Sequence, residues 1–227
     1  MYRVVNMGLA EAINRRTVSV YREGSIGAAT RQKRWRLLAE VFPQISEMRV
    51  LDVGGDARSW TVAGVQPGHV TILNVGSVPD APEPWMSAVE GDACDPPAGL
   101  GEFDLVFSNS VIEHVGGHWR RERFAATVRD LAPNYWVQTP NRYFPVEPHF
   151  LVPGLQLLPY AAQAAVITRW PVGNYAGLTQ ADIALERAMA IELLTKAQMQ
   201  HYFPDAVLTP ERLGPLVKSW IAIRTAA

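Results

Sequence analysis

Cysteine is nearly absent: Cys94 is the only one in 227 residues. A lone cysteine excludes an internal disulfide and fits a reducing, cytoplasmic setting. An excess of charge is also missing. Lysine and arginine number 21 against 22 aspartates and glutamates, a formal net charge of −1. That balance leaves no broad basic face, so no nucleic-acid partner is expected. Long apolar runs are lacking too. The most apolar-looking stretch, residues 150–168, is broken by Pro153, Gly154, Gln156, Pro159 and Gln163, so no stable membrane insertion is expected. The opening segment MYRVVNMGLAEAINRR has neither the continuous apolar core nor the cleavage site of a signal peptide. No internal repeat or low-complexity tract is visible. What is present is core material. Hydrophobic residues make up 48% of the chain, enough for one large globular domain.

The chain centres on RVLDVGGDARSW, residues 49–60. Arg49 to Val53 reads as a short buried strand with Asp52 at its carboxyl end. Gly54 and Gly55 allow a sharp turn, and residues 57–63 can begin a helix. A strand, an acidic residue, a glycine turn and a helix make the first crossover of a nucleotide-type α/β fold. Before it, residues 4–19 form an amphipathic pattern and residues 30–42 a stronger one. The latter carries Trp35, Leu38, Val41 and Phe42 on one side and Arg31, Lys33, Arg34 and Arg36 on a solvated face.

Further strands are expected at residues 69–75, 86–90, 103–107 and 134–139, with a helix at 117–131. Strands buried on both faces and alternating with helices predict a parallel sheet covered on both sides. Residues 141–179 are irregular, rich in proline and aromatics, and read as a lid or binding loop. Helical patterns return at 180–203. Two closing strands, 206–208 and 218–224, are expected to pair antiparallel.

Four strand ends in this scheme are polar or glycine-rich: Asp52 to Gly55, Asn74-Val75, Gly91-Asp92-Ala93 and Ser108-Asn109-Ser110. In open α/β sheets such ends converge on a ligand crevice. The segments VLDVGGDARSW, TILNV, EGDACD, FDLVFSNSVIEHVGG and YWVQTPNRYFPVEPHFLVP, in this order and spacing, resemble the class I S-adenosylmethionine-dependent methyltransferases. The likeness is to a bacterial subgroup with a Gly-Gly first loop and a Pro-Asn-Arg-Tyr-Phe-Pro-x-Glu-Pro-His stretch. It implies a Rossmann-like, seven-stranded, mostly parallel sheet. It also implies a single domain, divided into an N-terminal helical cover (1–45), a cofactor-binding core (46–140), a lid (141–203) and closing strands (204–227).

The resemblance implies S-adenosylmethionine as cofactor and S-adenosylhomocysteine as product. Its cofactor residues would be Asp52, Gly54, Gly55, Arg58, Asn74, Val75, Asp92, Ala93, Ser108, Asn109 and Ser110. Asn74 would take the ribose hydroxyls and Asp92 with the Ala93 amide the adenine edge. The usual glycine-rich loop has further glycines where this chain has Asp56 and Arg58, so these two residues need roles of their own. The absence of Gly-x-Gly-x-x-Gly counts against a nicotinamide dinucleotide.

The implied activity is methyl transfer to a small-molecule acceptor, on oxygen in the first reading, by a monomer or homodimer. Nitrogen or a lipid-like acceptor, or an inactive cofactor-binding scaffold, are the alternatives. His114 and His149 are the candidate proton acceptors. Asn141, Arg142, Tyr143, Tyr21 and Arg31 are the candidate acceptor contacts. His69, His118 and His201 read as surface or strand-start residues. Glu113, His114 and His118 have suggestive metal-ligand spacing, but Gly116 and Gly117 interrupt the helix they would need, and no metal is expected. Cys94 reads as a buried structural thiol.

Overall fold

The computed structural model describes residues 26–76, 81–170, 175 and 177–226. They form two compact units, residues 38–143 with 192–226 and residues 26–37 with 144–191. The helical pattern at 4–19 lies outside the described residues. In chain order the elements are α1 (Ile26–Val41), β1 (Arg49–Val53), α2 (Ala57–Thr61), β2 (His69–Asn74), β3 (Met86–Glu90) and β4 (Leu105–Asn109). They continue with α3 (His118–Leu131), β5 (Asn134–Pro140), β6 (Val146–Glu147), β7 (Val152–Pro153) and α4 (Tyr160–Ile167). The last are α5 (Ala181–Met189), α6 (Lys196–Tyr202), β8 (Val207–Leu213) and β9 (Leu216–Arg224).

The unit containing residues 38–143 is built on a seven-stranded sheet of order β3-β2-β1-β4-β5-β9-β8. Strands β1 to β5 run parallel, β9 is antiparallel to β5, and β8 is antiparallel to β9. This is the Rossmann-like, mostly parallel sheet the sequence predicts. Strand order reverses between β1 and β4, which makes their carboxyl ends the switch point where such sheets open a crevice.

Alternation along β1 shows how both faces are filled. Leu51 and Val53 point into a core with Val106, Val137, Phe124 and Val128 of α3, and Met199 and Phe203 at α6. Asp52 faces the other way, in register with Phe107 of β4, on the side carrying Trp60 of α2. Because both faces are covered, the strand is apolar throughout save its first residue and Asp52.

Several boundaries differ from the sequence pattern. Helix α1 starts four residues before Thr30, since Gly27 sits inside it rather than ending it. Strand β4 is displaced two residues toward the C-terminus. Asp104 exchanges hydrogen bonds with the Arg49 backbone ahead of it, and Ser108 and Asn109 pair with Val137 and Gln138. Asn109 is the strand's last residue, whereas Ser108, read as lying past the strand, sits inside the ladder, whose bonds are indifferent to side-chain polarity. The closing strands are longer than expected and join through a tight turn at Gly214, whose φ is +58°. The 180–203 region is two helices, and the second, α6, belongs to the sheet unit.

The other unit contains the short β6–β7 pair and helices α4 and α5. Among the described residues no helix is long and apolar enough to cross a membrane.

Candidate active site

The turn after β1 is fixed by two glycines for different reasons. Gly54 adopts φ +73°, and its amide donates to the Leu73 carbonyl at 2.7 Å. Gly55 is required by space: a Cβ there would fall 1.7 Å from Asp52 Oδ2. Asp52 is 1% exposed and accepts a 2.7 Å hydrogen bond from the Trp60 indole. Its Oδ1 has no hydrogen-bond partner among the described residues. Burial pushes the Asp52 carboxyl up to about 7, opposed by the Trp60 hydrogen bond and reinforced by the nearby Asp56 charge.

Asp56 gains a role that the sequence left open. It is the N-cap of α2, accepting from the Ser59 amide at 2.8 Å and from the Ser59 hydroxyl at 3.0 Å. Asp56→Ala is therefore expected to lower stability by about 1 kcal/mol, read as a shift of the urea midpoint at constant slope. A midpoint equal to wild type would show that the cap contributes nothing.

Asn74 joins the turn to the end of β2. Its Nδ2 donates to the Gly55 carbonyl at 3.1 Å, and its Oδ1 accepts from the Val75 amide at 2.9 Å. A carboxylate at this position could not donate to Gly55. The neutral amide thus supports the loop and keeps one lone pair on Oδ1 for a ligand hydroxyl.

Beyond β3, Asp92 is held from two sides. Cys94 N–H donates to its Oδ1 at 2.9 Å and Arg120 Nη2 to its Oδ2 at 2.7 Å. Burial raises the Asp92 carboxyl, but the hydrogen bonds from Arg120 and Cys94 and the Arg120 charge outweigh it and hold the group below the usual range. Cys94 is itself buried, and burial pushes its thiol up to about 11. It therefore remains a protonated thiol rather than a nucleophile at neutral pH.

A crevice of about 270 Å³ opens over these strand ends, near the roughly 300 Å³ lower bound of small-molecule sites. Of the residues singled out from sequence it brings together Gly54, Asn74, Val75, Asp92, Ala93, Ser110 and His114. Asp52, Gly55, Arg58, Ser108 and Asn109 do not line it. Ser108 is fully buried and donates to the Val53 carbonyl at 3.2 Å, tying β4 to β1. Arg58 is exposed on α2. Ser110 has φ +59°, a costly conformation for a residue other than glycine, and is fixed by bonds from its amide and hydroxyl to Gln138.

Leu73 and Gly91 of the strand-end segments also line it, and sequence reasoning missed Arg120, Val111 and Val115, which complete the lining. Arg120 sits on α3, 28 residues beyond Asp92, and helical spacing alone gave no sign that it would face a strand end.

Asn141, Arg142 and Tyr143 are not among the residues that line the crevice. Asn141 clips the chain after β5, donating to the Val217 carbonyl at 2.8 Å and accepting from the Tyr143 amide at 3.2 Å. Arg142 donates its backbone N–H to Leu194 O, and the Tyr143 side chain is 70% exposed. His149 belongs to the other unit, where its Nδ1 lies 2.6 Å from Oε1 of the buried Glu147. A carboxylate at Nδ1 favours the tautomer with its proton there. Arg31 is on α1 in that same unit, and Tyr21 lies outside the described residues.

The fold is that of the class I S-adenosylmethionine-dependent methyltransferases. Among similar solved structures is the CurJ carbon methyltransferase, with a TM-score of 0.56 and 13% identity over 92% of this chain; the match spans 57% of the CurJ chain. The magnesium protoporphyrin IX methyltransferase of Synechocystis PCC 6803, solved with bound S-adenosylhomocysteine, has a TM-score of 0.54 and 11% identity. It is matched over 97% of this chain and 100% of its own. The N-terminal domain of EvdMO1, solved in the presence of S-adenosylhomocysteine and D-fucose, gives 0.54 and 16%, covering 100% of this chain and 98% of that one. No protein-family model matches the sequence, and no curated protein matches it.

Proposed function

We propose that this chain is an S-adenosylmethionine-dependent methyltransferase acting on a small-molecule acceptor, with oxygen as the receiving atom. The observation that carries the reading is the crevice at the β1/β4 switch point, lined by Gly54, Asn74, Asp92, Ala93, Ser110 and His114. It suits a nucleoside without phosphates. The cation in its lining is Arg120, whose guanidinium is bonded to Asp92, so no cationic cradle is offered to a pyrophosphate. Gly54 gives backbone-only approach, and Asn74 Oδ1 keeps an acceptor lone pair.

In this role Gly54 and Ser110 would border the methionine part, Asn74 would accept from a ribose hydroxyl, and Asp92 with the Ala93 amide would read the adenine edge. The cofactor supplies an electrophilic methyl group on a sulfonium. The chain's own work is alignment of acceptor and donor and, for a hydroxyl acceptor, removal of its proton by a ring nitrogen of His114, which lies in the crevice lining and is exposed. Asp56 caps a helix and does not block the turn, so its departure from the glycine pattern is compatible with a bound cofactor.

Calorimetric titration with S-adenosylmethionine and S-adenosylhomocysteine tests this. Wild type should bind both, and Asn74→Ala should lose about tenfold in affinity, roughly 1.4 kcal/mol. His114→Ala should leave cofactor affinity unchanged and reduce turnover by about 10²-fold or more. Absence of binding at about 1 mM cofactor, a Kd weaker than about −4 kcal/mol, would sink the reading.

A further inference from the structure

His118 is the first residue of α3, and Glu122 follows one turn later on the same face. His201 comes from the last turn of α6, 83 residues further along the chain than His118 in sequence number. The fold brings the three together. His118 Nε2 lies 3.4 Å from Glu122 Oε1, and His201 Nε2 lies 3.7 Å from the same oxygen. Their three ligand atoms all lie within 4.8 Å of one another, and the two imidazole centroids are 5.7 Å apart. We propose that His118, Glu122 and His201 form a zinc-binding site on the surface of the sheet unit, separate from the crevice at the strand ends.

The distances fit the ion. Tetrahedral zinc with bonds of about 2.0–2.1 Å places neighbouring ligand atoms roughly 3.3–3.5 Å apart. Two of the edges are already near that length, and closing the third needs only side-chain rotation. Such rotation is available, because the side chains of His118, Glu122 and His201 are 63%, 53% and 61% exposed. The chemistry of the set is selective. Two imidazoles and one carboxylate suit zinc, nickel and copper, whereas calcium and magnesium require oxygen ligands. Three protein ligands leave the fourth position to water.

A supporting contact orients the first ligand. His118 Nδ1 lies 2.8 Å from the Tyr202 hydroxyl, and Tyr202 is only 4% exposed, anchored in the core beside Met199 and Phe203. In the ligating tautomer Nδ1–H donates to that hydroxyl and the Nε2 lone pair faces Glu122. Metal-bound histidines ordinarily have such a partner on the second nitrogen. As the two glycines had suggested, Gly116 and Gly117 precede α3 and interrupt any helix joining Glu113 and His114 to His118, which opens a new helix whose next turn brings Glu122 beside it.

A bound ion would link the start of α3 to the end of α6, and because the unfolded chain lacks the site, it would stabilise the fold. The test uses tag-free, chelator-stripped full-length protein titrated with zinc chloride at neutral pH. One equivalent should bind, and the thermal midpoint should rise by about 5 °C at hundredfold excess over Kd. His118→Ala and His201→Ala should each weaken binding by about 10²-fold or more. Tyr202→Phe, which keeps the ring and removes the orienting hydroxyl, should weaken it about tenfold. Metal-free His118→Ala and His201→Ala should melt close to wild type, since both side chains are exposed. No zinc binding by wild type would overturn the proposal. So would a double variant, His118→Ala with His201→Ala, that keeps the same one-equivalent isotherm, because the ion would then sit on other residues. Neither readout involves methyl transfer, so this proposal and the proposed activity stand or fall separately.

Discussion

Gly55→Ala is expected to destabilise the protein by about 3 kcal/mol or more. The added Cβ would lie 1.7 Å from Asp52 Oδ2, 2.2 Å from its Cγ and 2.5 Å from its Oδ1. The carboxyl group has nowhere to retreat. It is buried, its Oδ2 is held by the Trp60 indole, and Trp60 is itself 2% exposed and packs edge-on against Phe107 at 5.2 Å. Moving the backbone instead would break the bond from Asn74 Nδ2 to the Gly55 carbonyl. Gly64→Ala is the useful comparison. Its φ is +68° but a Cβ there meets nothing within 4 Å, so it carries only the left-handed strain of about 1–2 kcal/mol. Urea unfolding of both variants checks the argument. If Gly55→Ala proves no less stable than Gly64→Ala, the contact with Asp52 is not what requires glycine.

The second large effect is in the pH dependence of stability. Burial raises the Asp52 carboxyl from 3.8 to about 7 in the folded protein. Below 3.8 both folded and unfolded chains hold this proton, and its stabilising contribution is fully present. Between 3.8 and about 7 the unfolded chain has released the proton while the folded one keeps it, so stability falls as pH rises. Each pH unit in this window costs up to about 1.4 kcal/mol, which sums to roughly 4 kcal/mol as an upper bound. Above pH 7 the contribution is gone. Asp52→Asn, close in shape to the protonated acid, should remove this slope and be more stable than wild type at pH 8. The measurement is unfolding free energy in urea at intervals across the window, taken as the difference between variant and wild type so that other titrating groups cancel. Parallel curves for the two proteins would show that Asp52 does not hold its proton.

The sheet was legible in the sequence because its parallel strands are buried on both faces, and such strands stand out as short apolar runs between turn residues. The crevice was legible in outline for the same reason. Asn74, Asp92 and Ser110 stand at the ends of runs that the fold brings side by side. Strand β4 shows the limit. Asn109 does end the strand, but Ser108, whose polarity also looked like a strand end, sits inside the ladder, and its hydroxyl bonds to the neighbouring strand. Asn141 likewise looked like a ligand contact from its place after β5, and the fold uses both ends of its amide as a clip. A polar side chain near a strand end serves the backbone or a ligand equally well, and sequence does not distinguish them.

By itself the sequence determined the order of strands and helices, the doubled glycine at the turn and the polar ends of the strands. These follow from local chemistry: side-chain periodicity, backbone freedom and turn propensity act between residues close in the chain. The tertiary structure decided what meets across distance. It set Arg120 against Asp92, 28 residues away, and the buried Arg121 against Glu192, 71 away. It also placed Trp60 on Asp52 and His201 beside His118 and Glu122. Those pairings depend on which helix face turns toward which strand end, and that is set by packing of the whole core rather than by any local pattern.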